Sequence, residues 1–366
     1  MDKKELKAAL KNIESASKQI DKKNSKFLFF VADSKGTPVG SLAYTYELAY
    51  KLSKLGYNVQ MLYAENEFVG VKDWLGEKYA SLPHYDTSKA NIDISAADFL
   101  FIPELFSNVM NKTKNLPCKK IAILQNFHYL TELIPLGATW EKLGIRDCIT
   151  TSKSMEQRIK EVFPGTKTYV IRPTIDEVFK SSEKSKLLIN IVCKDRNLIN
   201  EVVKPFKWRY PIYDFISFRW VSGRSRQEEA EFLKEGVITI WLDDQTDFGY
   251  TALEAMASGN IVIGKVPENV PDWMCDEHGE IQDSGIWFYK LRDLPKILAS
   301  VIQTVLYDRV PEELYKNMKE TLSYFSGENQ DKEIKDVLEE IVNFRQDELS
   351  VMISALKNNI EKDGEK

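Results

Sequence analysis

The residues best suited to chemistry lie in one stretch near the middle of the chain's second half. Val237-Ile238-Thr239-Ile240-Trp241-Leu242 is short and β-branched, as a buried parallel strand is. Thr246-Asp247-Phe248-Gly249 follows, then Tyr250-Thr251-Ala252-Leu253-Glu254-Ala255-Met256-Ala257-Ser258-Gly259 and the apolar run Ile261-Val262-Ile263. The order is strand, tight loop, helix, strand. Gly249 permits close backbone approach to a ligand, and a helix opening near Tyr250 aims unpaired N–H groups and its positive dipole end at the same place. Such a terminus binds anions.

Glu254 comes one turn into that helix, among small and apolar residues. A carboxylate among core-facing neighbours is costly to bury unless it meets donors. It therefore either lies on the helix's open edge as a solvated glutamate or accepts hydrogen bonds there, as acidic residues accept from ribose hydroxyls in dinucleotide sites.

The stretch Phe248 to Ile263 resembles the nucleotide-sugar signature of retaining glycosyltransferases of the GT-B fold. The family pattern is Glu-Gly-Phe-Gly, an aliphatic run, then Leu-Glu-Ala-Met-Ala and a Gly. Its second Glu falls on Glu254 and its first on Thr246, with Asp247 at the following Gly. The resemblance implies an α/β chain of two Rossmann-like domains whose parallel sheets face across a cleft, with a nucleoside-diphosphate sugar bound between them. In the family the first Glu sits beside the donor sugar and the second holds the ribose. Here Asp247 is the carboxylate nearest the missing position.

The elements that must position these groups run along the whole chain. Its 366 residues suit two domains, and its composition (43% hydrophobic, 29% charged) is that of a globular protein. A net charge of −5 argues against bulk attraction to nucleic acid. The four cysteines (Cys118, Cys148, Cys193, Cys275) lack metal-ligand spacing and there are only three histidines, so reduced thiols and no structural metal are expected. No apolar stretch has membrane-spanning length and the N-terminus has no signal-peptide core, which predicts a cytoplasmic protein. Leu6, Leu10, Ile13 and Ile20 predict an amphipathic helix over residues 3–20. It docks on its own domain, or else on a partner or at a membrane surface as a peripheral contact.

The first strand is Phe27–Val31, followed by Thr37-Pro38-Val39-Gly40-Ser41 at the entry to a helix that ends by Gly56. Tyr57–Tyr63 is the second strand, completing a βαβ unit and implying a parallel sheet. Further strands are expected at 99–102, 121–124, 148–150 and 169–171, each ending in polar residues: Glu104, then Gln125 to His128, then Thr151 to Lys153. In an open α/β sheet such strand ends border the ligand crevice. His128 is there either as a structural histidine or as a group near the reaction centre. The resemblance places Gly40 and Ser41 at the donor diphosphate and His128 near the donor sugar.

Arg172-Pro173-Thr174-Ile175-Asp176 resembles the family's interdomain segment, and the polar run 180–186 reads as a linker. This gives an N-terminal, acceptor-side domain over 1–178, a nucleotide-sugar-binding domain over 186–330 and a C-terminal helical segment over 331–366 that packs back on the first domain or on a partner. The second domain is expected to hold strands at 187–192, 237–242, 261–263 and, at an edge, 286–288, and helices over 292–307 and 311–325. From 184 to 226 there are ten basic residues against three acidic. Lys194 and Arg196 follow a strand end, where the family keeps an Arg and a Lys on the donor diphosphate; the rest read as a solvated basic face.

The expected activity is transfer of a hexose from a UDP- or GDP-sugar to an acceptor hydroxyl with retention. Preorganised N–H groups at Phe248, Gly249, Tyr250 and Thr251, with Lys194 and Arg196, would stabilise the leaving diphosphate. Glu254 would hold the ribose, Gly40 and Ser41 the diphosphate, and His128 and Asp247 the reaction centre. Asp243 and Asp244 are adjacent rather than spaced as Asp-x-Asp, so no metal or other cofactor is expected. A nucleotide-sugar epimerase or phosphorylase on the same fold stays open, as does a non-catalytic nucleotide-sugar-binding or scaffold subunit. Glycan, lipid-linked sugar and modified nucleic acid remain as acceptor classes. The long C-terminal segment, with the N-terminal helix, leaves room for a homo-oligomer.

Overall fold

Apolar runs with short connections became parallel strands, as buried strands do when helices cover both faces of a sheet. The computed structural model describes residues 3–65, 67–89, 92–182, 187–243 and 246–362. The chain divides into two compact units, one of Met1–Thr151, Met155–Ile171 and Asp331–Lys366, the other of Ser152–Ser154 and Arg172–Gln330. Of the expected linker, residues 183–186 lie outside the described residues, as do Lys184 and Lys186 of the basic stretch and Asp244 of the adjacent acidic pair.

The first unit runs α1 (Lys3–Gln19), β1 (Lys26–Phe30), α2 (Gly40–Lys54), β2 (Asn58–Tyr63), α3 (Lys72–Leu75), α4 (Glu77–Ala80), β3 (His84–Asp86), β4 (Phe99–Pro103), α5 (Ser107–Thr113), β5 (Lys119–Leu124), α6 (Phe127–Leu133), β6 (Asp147–Thr150), α7 (Lys153–Val162) and β7 (Lys167–Val170). Its seven strands are parallel in the order β3-β2-β1-β4-β5-β6-β7. Phe27 lies beside Phe99 and Phe29 beside Phe101 in the β1–β4 register, with ring centroids 4.8 and 4.4 Å apart. Stacked rings on one sheet face give the core both apolar area and a fixed geometry.

The second unit holds β8 (Leu188–Val192), α8 (Asn197–Arg209), β9 (Ser217–Trp220), α9 (Arg226–Glu235), β10 (Ile238–Trp241), α10 (Tyr250–Ala257), β11 (Ile261–Lys265), β12 (Ile286–Phe288), α11 (Leu294–Leu306) and α12 (Glu312–Ser323). Its sheet is parallel in the order β12-β11-β10-β8-β9. The central strand β10 is buried at every position, and so is most of α10.

The last helix, α13 (Gly327–Lys362), buries Ile334, Leu338, Ile341 and Leu349 in the core of the first unit. Polar contacts fix it there as well. Arg345 donates to the carbonyls of Ala96 and Pro117, and Glu348 lies 3.1 Å from Lys119, itself 2.7 Å from the buried Asp147. Burial pushes the Asp147 carboxyl up from the usual carboxylate range against the pull of Lys119. Two short edge strands, β3 and β9, were not expected. No helix among the described residues is long and apolar enough to cross a membrane.

Candidate functional site

The loop between β10 and α10 is shaped by its own side chains. Thr246 Oγ1 accepts from the amides of Gly249 at 3.0 Å and Phe248 at 3.4 Å, closing the loop on itself. Gly249 then enters the left-handed region at φ 78°, a conformation a side chain at that position would strain. A Cβ there would also sit 3.0 Å from Trp241 Cζ2 and 3.3 Å from Trp273 Cζ2. The Phe248 ring is buried, and its carbonyl accepts from Trp273 Nε1 at 2.6 Å. The chain thus crosses the end of β10 at van der Waals distance from two tryptophans, and α10 starts from that fixed point.

Glu254 is 2% exposed. Its Oε1 accepts no aligned hydrogen bond but lies 3.2 Å from Arg226 Nη1. Arg226 Nε is in turn 3.5 Å from Asp176 Oδ2, and its guanidinium stands over the Phe179 ring at 5.2 Å. Burial raises the Glu254 carboxyl from its ordinary value; Arg226 opposes this and Asp176 adds to it. Glu229, three residues along α9 from Arg226, is pushed up to about 8, by burial first and then by the charge of Glu254, against the pull of Arg226 and of the Arg224 backbone. One guanidinium therefore serves two carboxylates, Glu254 and Asp176, with Glu229 close enough to feel the charge of both Arg226 and Glu254.

Arg226 is positioned by a capping box. Ser225 Oγ accepts from the Glu228 amide at 3.3 Å while Glu228 Oε2 accepts from the Ser225 amide at 3.0 Å, fixing the start of α9 with Arg226 as its first residue.

No protein-family model matches the chain. It is 25% identical over 240 residues to the alpha-1,6-glucosyltransferase of Actinobacillus pleuropneumoniae serotype 7 (strain AP76), spanning 61% of this chain and 71% of that protein. Anabaena Alr3699/HepE in complex with UDP-glucose matches 86% of this chain and 99% of its own, with a TM-score of 0.59 at 10% identity. An alpha-glucosyltransferase in complex with UDP and a DNA containing an HMU base matches 85% and 99%, with a TM-score of 0.57 at 14% identity. The sucrose-phosphate synthase of Thermosynechococcus elongatus matches 87% and 99%, with a TM-score of 0.57 at 12% identity. The chain has the GT-B fold. The resemblance to GT-B glycosyltransferases drawn from residues 248–263 extends through both Rossmann-like units.

Within the GT-B second unit, Lys194 and Arg196 sit on the loop that leaves β8. Lys194 is exposed and 3.3 Å from Asp243 at the end of the neighbouring β10. Arg196 is exposed at the start of α8, its guanidinium 5.1 Å from the Trp220 ring. The loop ends thus bring Lys194 beside Asp243, while Glu254 belongs with Arg226, Glu229 and Asp176. Asp247 is buried and Thr251 half-buried. The amides of Phe248 and Gly249 are directed to Thr246 within the loop. The basic stretch does not form one solvated face. Arg219 pairs with Glu235 at 2.8 Å, Lys207 with Asp214 at 3.1 Å, and Arg226 reaches Glu254.

In the first unit Gly40 opens α2 after β1, with no side-chain cap from Val39 and no heavy atom within 4 Å of where a methyl group would sit. The Ser41 carbonyl accepts from Gln125 Nε2 at 2.8 Å. Glu104 is fully buried, its Oε1 accepting from the amides of Gln125 and Asn126 at 3.2 Å. Asn126 caps α6 by accepting from the His128 amide, and the His128 ring is exposed, 3.8 Å from Glu132. Gly40, Ser41 and Gln125 are brought together; His128 stands on the first turn of the neighbouring helix.

Arg226 and Glu229 were not singled out from the sequence. The signal was present in Ser225-Arg226-Gln227-Glu228, a capping-box pattern that puts a cation at a helix N-terminus, where the dipole disfavours it unless an anion is near. Among the described residues no group of three or more His, Cys, Asp or Glu is arranged to hold a metal ion.

Proposed function

We propose that the chain is a glycosyltransferase that moves a hexose from a UDP-sugar, with UDP-glucose the first donor to test, to an acceptor hydroxyl of a glycan with retention. The observation that carries this reading is the buried Glu254 carboxylate, one turn into the helix that follows the Gly249 loop and held 3.2 Å from Arg226. Glu254 accepts from the donor's ribose hydroxyls. The α10 N-terminus at Tyr250 and Thr251, with Lys194 and Arg196, faces the diphosphate and stabilises the charge that grows as the glycosidic bond breaks. In the first unit, Gly40 and Ser41 offer an uncapped helix start suited to a phosphate and His128 an exposed imidazole suited to a sugar; in the second, Asp247 is the carboxylate assigned to the sugar. The name of the Actinobacillus relative and the UDP-glucose in the HepE complex support a glucosyl donor. Nucleoside-diphosphate glucose is α-linked, so an α-linked product from it means retention.

Thr246 supports a second reading. It takes the place of a glutamate in the family pattern and spends its hydroxyl on the loop's own amides. The chain would then bind donor without turning it over, as a subunit beside a catalytic partner.

Incubation with UDP-glucose and a panel of glucoside acceptors, followed by proton NMR of the product, tests both. Release of UDP with an α-anomeric coupling in the product is the expected result. Donor binding without product across UDP-, GDP- and ADP-hexoses supports the binding subunit, and a β-linked product overturns retention.

A further inference from the structure

The cluster around Glu254 is larger than ribose binding by one carboxylate requires. Asp176 comes from the segment that opens the second unit, Arg226 and Glu229 from the first turns of α9, and Glu254 from α10. Arg224, just before the α9 cap, stacks its guanidinium over Phe232 at 4.5 Å and turns its backbone to Glu229. Arg226 lies 3.2 Å from Glu254 and 3.5 Å from Asp176.

We propose that Arg226 is a positioning residue for ribose recognition: held between Asp176 at 3.5 Å and Glu254 at 3.2 Å, it fixes the Glu254 carboxylate in the orientation that reads the ribose hydroxyls. This rests on the donor-site reading given above. A buried carboxylate without a counter-ion takes up a proton and ceases to be a good double acceptor. Arg226 opposes that at Glu254. The groups facing Glu229 are Glu254 from α10, Arg226 from its own helix and Arg224 from the preceding loop. Those facing Glu254 are Arg226, Asp176 and Glu229.

Specificity follows from this arrangement. A site built to accept from a hydroxyl rejects the analogue lacking it, because its buried acceptor is left unmatched. Ribose discrimination should therefore depend on Arg226 although Arg226 need not touch the nucleotide.

The test is calorimetric titration of the full-length protein with UDP, 2′-deoxy-UDP and 3′-deoxy-UDP. Wild type is expected to favour UDP over at least one deoxy form by about tenfold or more, a preference worth about 1.4 kcal/mol. Arg226→Gln should lose that preference by weakening UDP towards the deoxy ligand, whose own affinity reports that the fold and phosphate site survive. Arg226→Lys should keep part of it. Wild-type discrimination that Glu254→Gln abolishes and Arg226→Gln leaves intact overturns this proposal alone. Absence of discrimination in wild type overturns the assignment of Glu254 to the ribose, and this proposal with it.

Discussion

Replacing Gly249 with alanine puts a methyl group into the left-handed backbone that starts α10. Two costs add. The left-handed conformation costs an L-residue about 1–2 kcal/mol. The new Cβ, placed 3.0 Å from Trp241 Cζ2 and 3.2 Å from its Cη2, also forces a buried ring to move, and overpacking of this kind costs about 1–3 kcal/mol. Trp241 is fully buried, and Trp273 on the other side holds the Phe248 carbonyl, so neither ring has open space to retreat into. The second unit should lose about 2–5 kcal/mol, the sum of those two ranges. With a urea m-value of about 1–3 kcal/mol/M, its midpoint should fall by about 1 M or more. Urea titration followed by tryptophan fluorescence reads the change directly, since Trp241 and Trp273 border this loop and Trp287 packs against both rings. Gly40→Ala is the matched control. It adds a methyl with nothing within 4 Å, so stability should hold or rise by about 0.4–1 kcal/mol. A Gly249→Ala protein within about 0.5 kcal/mol of wild type would refute the packing argument for the loop.

Other perturbations have equally direct readouts. Glu229 binds its proton more tightly folded than unfolded, so it subtracts stability as pH rises from the ordinary carboxylate range to about 8 and changes nothing beyond; Glu229→Gln should flatten that decline in urea midpoints measured against pH. Lys119→Met strands the buried Asp147 without its cation and should destabilise the first unit by about 3 kcal/mol, read by chemical denaturation; a loss under about 1 kcal/mol would contradict the buried pair. Thr246→Ala removes the acceptor of two loop amides and should cost about 1 kcal/mol; an unchanged urea midpoint would mean the Thr246 hydroxyl does not organise the loop.

The parts of the fold legible in the sequence were those under the strongest physical constraint. Phe27–Val31, Phe99–Ile102 and Val237–Leu242 announce buried parallel strands because helices on both faces leave them no polar alternation. β3 and β9 escaped notice for the opposite reason. His84–Asp86 and Ser217–Trp220 are short, half-exposed edge strands with no apolar run to mark them. The same contrast holds for the site. Glu254 stood out as a lone carboxylate among Ala, Leu and Met, and the structure buries it. Arg226 was hidden among ten basic residues between 184 and 226, because sequence alone does not say which of them a tertiary contact will single out. Thr246 could be recognised as a departure from the family pattern, but its hydrogen bonds to Phe248 and Gly249 depend on a loop conformation that only the packed tryptophans define.

The central claim is that Glu254 marks a nucleotide-sugar donor site. Calorimetric titration of UDP-glucose, alongside GDP- and ADP-glucose, into wild type and Glu254→Ala tests it most directly. The account predicts saturable binding of one nucleotide sugar to wild type and a loss of about tenfold or more on substitution. Equal affinity in the two proteins, or no binding of any donor to a folded wild type, would contradict it.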